Sequence, residues 1–260
     1  EGKIKIGGLV MELVKVDDGY VVIMPDGIKL YAAYRNHYVF LGDIVFLETF
    51  FYDIRFLGFD LSGWLILDIG AYVGDTALYY ASKGATVVTV EPLPGNYEVF
   101  LRNLALNPGL RERVIPVNVA ISDREGLAEI TYSHGVDGGA SLYSTGALKT
   151  RVRTITLKKL IEELVERGLD VEKFKVKVLK MDCKGCEWDV VNNEIETLKL
   201  FDIIKIEYSG YLRNFTYKEL VERIEPLGYK CKASAHNEFA IKIGLDKHGI
   251  LLCMRTAYLF

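Results

Sequence analysis

LILDIGAYVGD, residues 65–75, runs from an apolar strand (Leu65-Ile66-Leu67) through an acid and two glycines into a helix start. In a doubly wound sheet, ligands bind beyond the carboxyl ends of the strands, where the strand order reverses. Glycine there lets the backbone approach a ligand closely, and the following helix offers free N–H groups and the positive end of its dipole. The spacing separates two ligand classes. A dinucleotide fingerprint opens with G-x-G, but Gly70 and Gly74 are separated by three residues, and Tyr72 stands where a second glycine would fall. Asp68, just ahead of the loop, suits a ligand carrying an amino group or a sulfonium and opposes a pyrophosphate. Glu91 ends the next strand (TVVTVE), 21 residues after Gly70, where an acid accepts the hydroxyls of a ribose. Together the two elements indicate a nucleoside ligand without naming it.

Outward from this loop, strands and helices alternate. Strands are expected at Trp64–Asp68, Thr86–Val90, Arg113–Val117, Lys175–Met181 and Ile203–Glu207, with closing strands at Tyr229–Ser234 and Ile250–Leu259. Helices are expected at Asp75–Lys83, Gly95–Leu106, Thr156–Gly168 and Thr216–Pro226. Such alternation gives βαβ units and a mostly parallel, doubly wound α/β sheet between two helical layers. Residues 1–55 read differently. Asp17-Asp18-Gly19 and Pro25-Asp26-Gly27 separate short β-rich runs, which is a hairpin signal. They form an expected β-rich N-terminal appendage to a main domain over 56–260. Val39–Tyr52 is strongly apolar, as helix or as strand. Tyr31, Tyr34, Tyr38 and Phe40 there make either a small core, which is favoured, or a wall of the pocket or a dimer face.

The 260 residues are half hydrophobic and 26% charged, enough to bury a core. No apolar run approaches the ~18 residues of a membrane span, and no signal-peptide pattern is read, so a cytoplasmic protein is expected. A net charge of −3 weakens the case for a broad nucleic-acid footprint. The absence of Gln beside abundant charged residues follows a thermophile tendency.

Five segments in order resemble the FkbM family of methyltransferases: DIGAYVGD, VEPLPGNYEVFLRNLALN, VIPVNVAISDREG, LKMDCKGCEWDVV and IIKIEYSG. The resemblance covers about residues 45 to 215. It implies a Rossmann-like seven-stranded sheet with an antiparallel last strand, S-adenosylmethionine as cofactor, and often O-methylation of a hydroxyl on a sugar or natural product. Matched position by position, the implied cofactor contacts are Asp68, Gly70, Ala71, Gly74, Asp75, Thr76, Glu91, Pro92, Asn118, Val119, Ala120 and Asp182, with the adenine after the third strand. Asp182, Gly185 and Glu187 match the family's DxEGxE motif. Two positions depart from the pattern: Tyr72 replaces an Asn, and Lys184 replaces the middle acid, which removes a negative charge beside the active site.

Asp182 ends the fourth strand and is the expected catalytic carboxylate, taking a hydroxyl proton or positioning the acceptor. Glu187 is the second catalytic candidate, orienting the substrate or binding a cation, or else simply an acid at a helix start. No resident metal is expected. Cys183 and Cys186 form a CxxC read chiefly as small packing residues, with a disulfide or half of a zinc site as alternatives; Cys231, Cys253, His236 and His248 lack the spacing to complete a zinc site. Residues 132–151 form a Gly/Ser/Thr-rich loop, either a lid or a bare connection, and His134 in it is a solvated loop residue or a base. Glu207, Tyr208, Tyr211 and Phe215 are either acceptor contacts or packing. The reading is an O-directed methyltransferase with a small-molecule or sugar acceptor. An RNA or protein methyltransferase, using Lys149, Arg151, Arg153 and Arg213 as a basic patch, is the alternative, followed by a cofactor-binding module without catalysis.

Overall fold

A computed structural model describes residues 2–6, 9–32, 60–235 and 238–256. The chain begins with a four-stranded antiparallel sheet, β1 (Gly2–Ile6), β2 (Leu9–Val16), β3 (Gly19–Ile23) and β4 (Lys29–Ala32), in sequential order. Asp17-Asp18 turns β2 into β3 as the hairpin signal predicted. Val39–Tyr52, Tyr34, Tyr38, Phe40 and the boundary at residue 55 lie outside the described residues.

The central sheet has seven strands. Its members are β5 (Trp64–Ile69), β6 (Thr86–Val90), β7 (Val114–Val117), β11 (Val176–Met181), β12 (Ile203–Ser209), β13 (Tyr229–Ser234) and β14 (His248–Arg255). The order is β13-β14-β12-β11-β5-β6-β7. Every pair from β12 to β7 is parallel, and β14 runs antiparallel to both β12 and β13. Strand order reverses between β5 and β11, so a crevice opens beyond the carboxyl ends of these two strands.

Helices cover both faces, and the strand pleat explains why. On β5, Leu65, Leu67 and Ile69 join one apolar cluster and Ile66 joins another. The first cluster packs under α3 (Leu157–Glu166), α4 (Cys186–Asn193) and α6 (Tyr217–Ile224), the second under α1 (Asp75–Ser82) and α2 (Pro94–Leu106). In α3, Leu157, Leu160 and Leu164 recur at helical spacing and are buried, and the Thr156 hydroxyl caps the first turn by accepting from the Lys159 N–H (3.1 Å). A short α5 (Gly210–Arg213) follows β12, and α7 (Glu238–Ile243) precedes β14.

The N-terminal sheet docks on α2. Asn107 donates to the Lys29 carbonyl (2.8 Å) and accepts from the Lys29 N–H (3.0 Å), while Asn103 accepts from the Tyr31 N–H (2.7 Å). The Arg102 guanidinium lies 3.4 Å from the centre of the Tyr31 ring. Met11, Val22 and Leu30 share one apolar cluster with Ile66, Val87 and Phe100. Tyr31 therefore belongs to a core, as favoured above.

One sheet is not foreseen by the sequence. β8 (Ala120–Ile121), β10 (Leu148–Ile155) and β9 (Gly126–Tyr132) form a three-stranded layer in that order. β9 and β10 bury only a few side chains, among them Ile130, Val152 and Ile155, while Leu127 is 71% exposed. So little apolar alternation leaves no strand signal. The loop expected over 132–151 is shorter, a 133–147 connection: Tyr132 ends β9, and 148–151 already belong to β10.

Candidate active site

A cavity of about 260 Å³ opens at the β5/β11 crevice. Its walls come from the loop after β5 (Gly70, Ala71, Tyr72, with Asp75 and Thr76 of α1), the turn after β6 (Glu91, Pro92), the segment after β7 (Val119, Ala120) and the turn after β11 (Asp182, Cys183, Lys184). Gly70 has φ +81°, and a Cβ there would stand 2.0 Å from the Asp182 carbonyl oxygen. Only glycine lets these two loops cross at such range. The Asp182 N–H completes the crossing by donating to Ile69 O (2.8 Å).

Glu91 is buried at the cavity wall. Its Oε1 accepts from the Leu93 N–H (2.9 Å) and the Asn96 amide (3.0 Å), and its Oε2 accepts from the Tyr72 N–H (2.9 Å). Burial pushes its carboxyl up to about 7, against the pull of these three donors. One lone pair on Oε2 remains for a ribose hydroxyl; Oε1 is already filled. Tyr72, at φ +54°, thus contributes its backbone to Glu91, a role independent of the Asn it replaces.

Asp68, Gly74, Asn118 and Glu187 do not line the cavity. Asp68 is fully buried, and its Oδ1 pairs with Lys180 Nζ at 2.7 Å. Lys180 stands directly opposite Asp68 in the parallel β5–β11 register, and it is Lys180 that reaches the cavity. Asp68 was expected to face the ligand; here its Oδ1 charge is met by a lysine on the next strand, and its Oδ2 has no hydrogen-bond partner among the described residues. Gly74 packs its Cα against the Phe100 ring. Asn118 is exposed, and its amide donates to the carbonyls of Glu91 (2.7 Å) and Pro92 (3.2 Å), so it shapes the turn behind the cavity.

At the β11 end, Asp182 keeps about a fifth of its side-chain surface exposed. The Lys184 ammonium bonds its carboxylate and also Glu207 Oε1 (3.0 Å). Burial alone would lower Lys184, but the two carboxylates outweigh it and hold the ammonium well above its usual range. The charge missing from the family pattern is therefore replaced by an ion pair on Asp182. Glu187 is fully buried; its oxygens accept from the Gly185 N–H (2.8 Å) and the Ser209 N–H (2.7 Å), and burial pushes it up to about 7. It ties the turn after β11 to the end of β12 and does not reach the cavity.

Cys183 and Cys186 are joined in a disulfide on the cavity wall, and a second disulfide links Cys231 to Cys253 across β13 and β14. This corrects the packing reading of the CxxC. The two sulfurs lie near Glu187, but sulfurs bonded to each other are not thiolate ligands.

The sequence did not single out several residues that build the site. Asn96 donates to Glu91 and to Asp137 O (2.9 Å) and accepts from the Asp137 N–H (2.8 Å), which links Glu91 to the 133–147 connection. Ser141, Leu142 and Tyr143 of that connection form a cavity wall. The Tyr143 hydroxyl bonds Asp189, which pairs with Arg213 (2.9 Å). His134 is exposed and away from the cavity. Tyr208 is buried, Phe215 stacks on Trp188 with centroids 4.9 Å apart, and Tyr211 is partly exposed; none of the three lines the cavity.

A Rossmann-like sheet with its cleft at the switch point, a ribose-type acid and a carboxylate at the end of β11 describe a methyltransferase scaffold. The family model described as methyltransferase FkbM domain matches residues 68–231, and the chain belongs to this family. Methyltransferase sdnD of Sordaria araneosa is 27% identical over 240 residues, covering 82% of this chain and 85% of that protein. A crystal structure of methyltransferase FkbM from Methylobacillus flagellatus KT superposes with a TM-score of 0.49 at 13% identity; the match covers 80% of this chain and 47% of that one. The fibrillarin of Aeropyrum pernix with bound S-adenosyl-L-methionine gives a TM-score of 0.41 at 14% identity, covering 94% and 98%.

The protein is thus a methyltransferase with S-adenosylmethionine as its methyl donor. The residues present fit that donor: Glu91 keeps a lone pair for the ribose, and the buried Asp75 on the cavity wall has an oxygen, Oδ2, with no hydrogen-bond partner among the described residues. No described helix is long and apolar enough to cross a membrane.

Proposed function

We propose that this enzyme methylates the oxygen of a hydroxyl group on a small molecule or sugar. The observation that carries the reading is the Asp182 carboxylate, on the cavity wall at the end of β11 and partly open to it. When bound, S-adenosylmethionine supplies an electrophilic methyl group on a sulfonium. Glu91 and the turn after β6 hold the nucleoside, and Asp182 hydrogen-bonds the acceptor hydroxyl and takes its proton as the oxygen becomes acidic. Lys184 fixes the Asp182 carboxylate, and Glu187 fixes the turn that carries both.

The test is radiolabelled methyl transfer to a panel of hydroxyl, amine and RNA acceptors. Product on a hydroxyl compound, with Asp182→Asn slower by about 100-fold or more, supports the reading. Transfer to nitrogen alone, or an unchanged rate in Asp182→Asn, overturns it. An RNA acceptor is less well served, because Lys149, Arg153 and Arg213 each pair with an acid, Glu129, Glu163 and Asp189. Any turnover removes the reading as a module without catalysis. We further read the chain as an N-terminal appendage to residue 55 plus a catalytic domain over 56–260, in a cytoplasmic protein of a thermophile, a setting in which intracellular disulfides occur.

A further inference from the structure

The proposed methyl transfer makes no use of the disulfide on the cavity wall. Cys183 and Cys186 are bridged across Lys184 and Gly185, between Asp182 and Glu187. Their two sulfurs differ in access. Cys183 is partly exposed, Cys186 is 2% exposed, and both residues line the cavity. A thiolate that enters the cavity therefore meets the Cys183 sulfur first. Cys186 opens α4, where a helix start favours the thiolate form and so makes its sulfur the better leaving group.

Glu187 supplies the proton this chemistry needs. It is fully buried, and a carboxyl oxygen of Glu187 and both sulfurs lie within 4.8 Å of one another. Its Oε2 is 3.3 Å from Cys183 Sγ. Burial pushes the carboxyl up to about 7, so at neutral pH it carries a proton part of the time and can hand it to a leaving sulfur. After reduction, the same Oε2 is in place to accept from the Cys183 thiol. The second bridge is a built-in comparison. Cys231 is partly exposed and Cys253 buried, but neither lines the cavity.

We propose that Cys183–Cys186 is a thiol–disulfide exchange site, entered at Cys183 through the cofactor cavity, with a dithiol as its reductant, and that a bound methyl donor shuts the entrance. One thiolate of the dithiol bonds to Cys183 Sγ. The Cys183–Cys186 bond breaks, and its electron pair goes to Cys186 Sγ, which takes a proton from Glu187. The second thiolate then attacks the dithiol's own sulfur in the mixed disulfide and releases Cys183 as a thiolate. Solvent protonates Cys183 and Glu187, replacing the two protons that the dithiol gave up. The protein pair is reduced by two electrons and the dithiol is oxidised to a disulfide. The donor's part in this rests on the placing of S-adenosylmethionine in this cavity.

Timed reduction of the folded, oxidised protein tests it, with dithiothreitol as the dithiol. Samples are quenched with iodoacetamide, and peptide mass mapping follows the labelling of each cysteine with and without S-adenosylhomocysteine. Without ligand, Cys183 and Cys186 should label before Cys231 and Cys253. With S-adenosylhomocysteine at about 100 times its Kd, found by calorimetry on the same protein, the ligand-free fraction falls about 100-fold and labelling of Cys183 and Cys186 should slow by that factor. The Cys231–Cys253 bridge should keep its rate. Reduction of both bridges at one rate, or an inert Cys183–Cys186 bridge in the folded protein, overturns the exchange site. Slowing of both bridges by the ligand, which marks reduction through unfolding, or of neither, overturns entry through the cavity. In fully reduced protein, limiting iodoacetamide should mark Cys183 ahead of Cys186; the reverse order overturns entry at Cys183. Failure of S-adenosylhomocysteine to bind would instead remove the donor site, and the ligand-free rates would then decide the exchange site alone.

Discussion

Glu91→Gln separates the task Glu91 has in the structure, holding its own turn, from the one proposed for it, holding the ribose of the ligand. A glutamine has one carbonyl oxygen for the three N–H donors that Glu91 serves. The better orientation keeps that oxygen toward the Leu93 N–H and the Asn96 amide and turns the new NH₂ toward the Tyr72 N–H, so one bond is lost. Leaving that donor unsatisfied costs about 1–3 kcal/mol. Against this stands the charge. The native carboxyl is raised from 4.5 to about 7, so the folded state holds its proton more tightly than the unfolded chain does. Ligand-free stability is therefore greatest below about pH 4.5 and falls as pH rises toward 7, by about 3 kcal/mol for this group. Above pH 7, Gln removes that penalty and the two effects nearly cancel. Below pH 5, only the lost bond remains, and the variant should be less stable by about 1–3 kcal/mol. Urea unfolding at pH 5 and pH 8 measures the pair. Ligand binding should respond differently, because the lone pair left for the ribose becomes a donor. S-adenosylhomocysteine should bind about 10- to 100-fold more weakly at pH 8. The native affinity should weaken as pH falls through 7, and the variant should lose that step. An unchanged dissociation constant with an unchanged pH profile would refute the placement of the ribose.

Lys180→Met leaves Asp68 as an unpaired buried charge and should cost about 3–5 kcal/mol in chemical unfolding, with part of the loss recovered in Lys180→Met/Asp68→Asn; an additive double variant would show that the pair does not couple. Thiol titration of the denatured protein should find no reactive thiol before reduction and four after it, counting Cys183, Cys186, Cys231 and Cys253. Removing the Cys231–Cys253 bridge, which spans 22 residues, should lower stability by about 3 kcal/mol. Asn96→Ala cuts the link between Glu91 and Asp137, so limited proteolysis should cleave the 133–147 connection faster and S-adenosylhomocysteine should bind more weakly.

The strands and helices of the main sheet were legible because each is apolar at its own period: β5, β6, β11 and β12 as near-continuous runs buried on both faces, α3 as leucines at helical spacing. Glu91 was legible as a residue of the cavity wall because its place just after β6 is a fixed distance from the first glycine. β9 and β10 were hidden, since a sheet that buries only one sparse row of side chains looks like polar loop. The CxxC showed two thiols near each other but not their oxidation, which depends on how the turn brings the sulfurs together.

Asp68 and Lys180 show most sharply where local sequence stops. The loop LILDIGAYVGD by itself determined a strand, a tight glycine turn, a helix start and hence a nucleoside-sized ligand at that spot. What partner Asp68 finds was decided only when β11 came to lie beside β5 and brought Lys180, 112 residues away in the chain, against it. Parallel register then set Lys180 opposite Asp68 and paired the two charges, so that Lys180 and not Asp68 stands on the cavity wall. Charge at a buried site depends on neighbours across the sheet, because Coulomb interaction follows distance in space while the sequence records only distance along the chain.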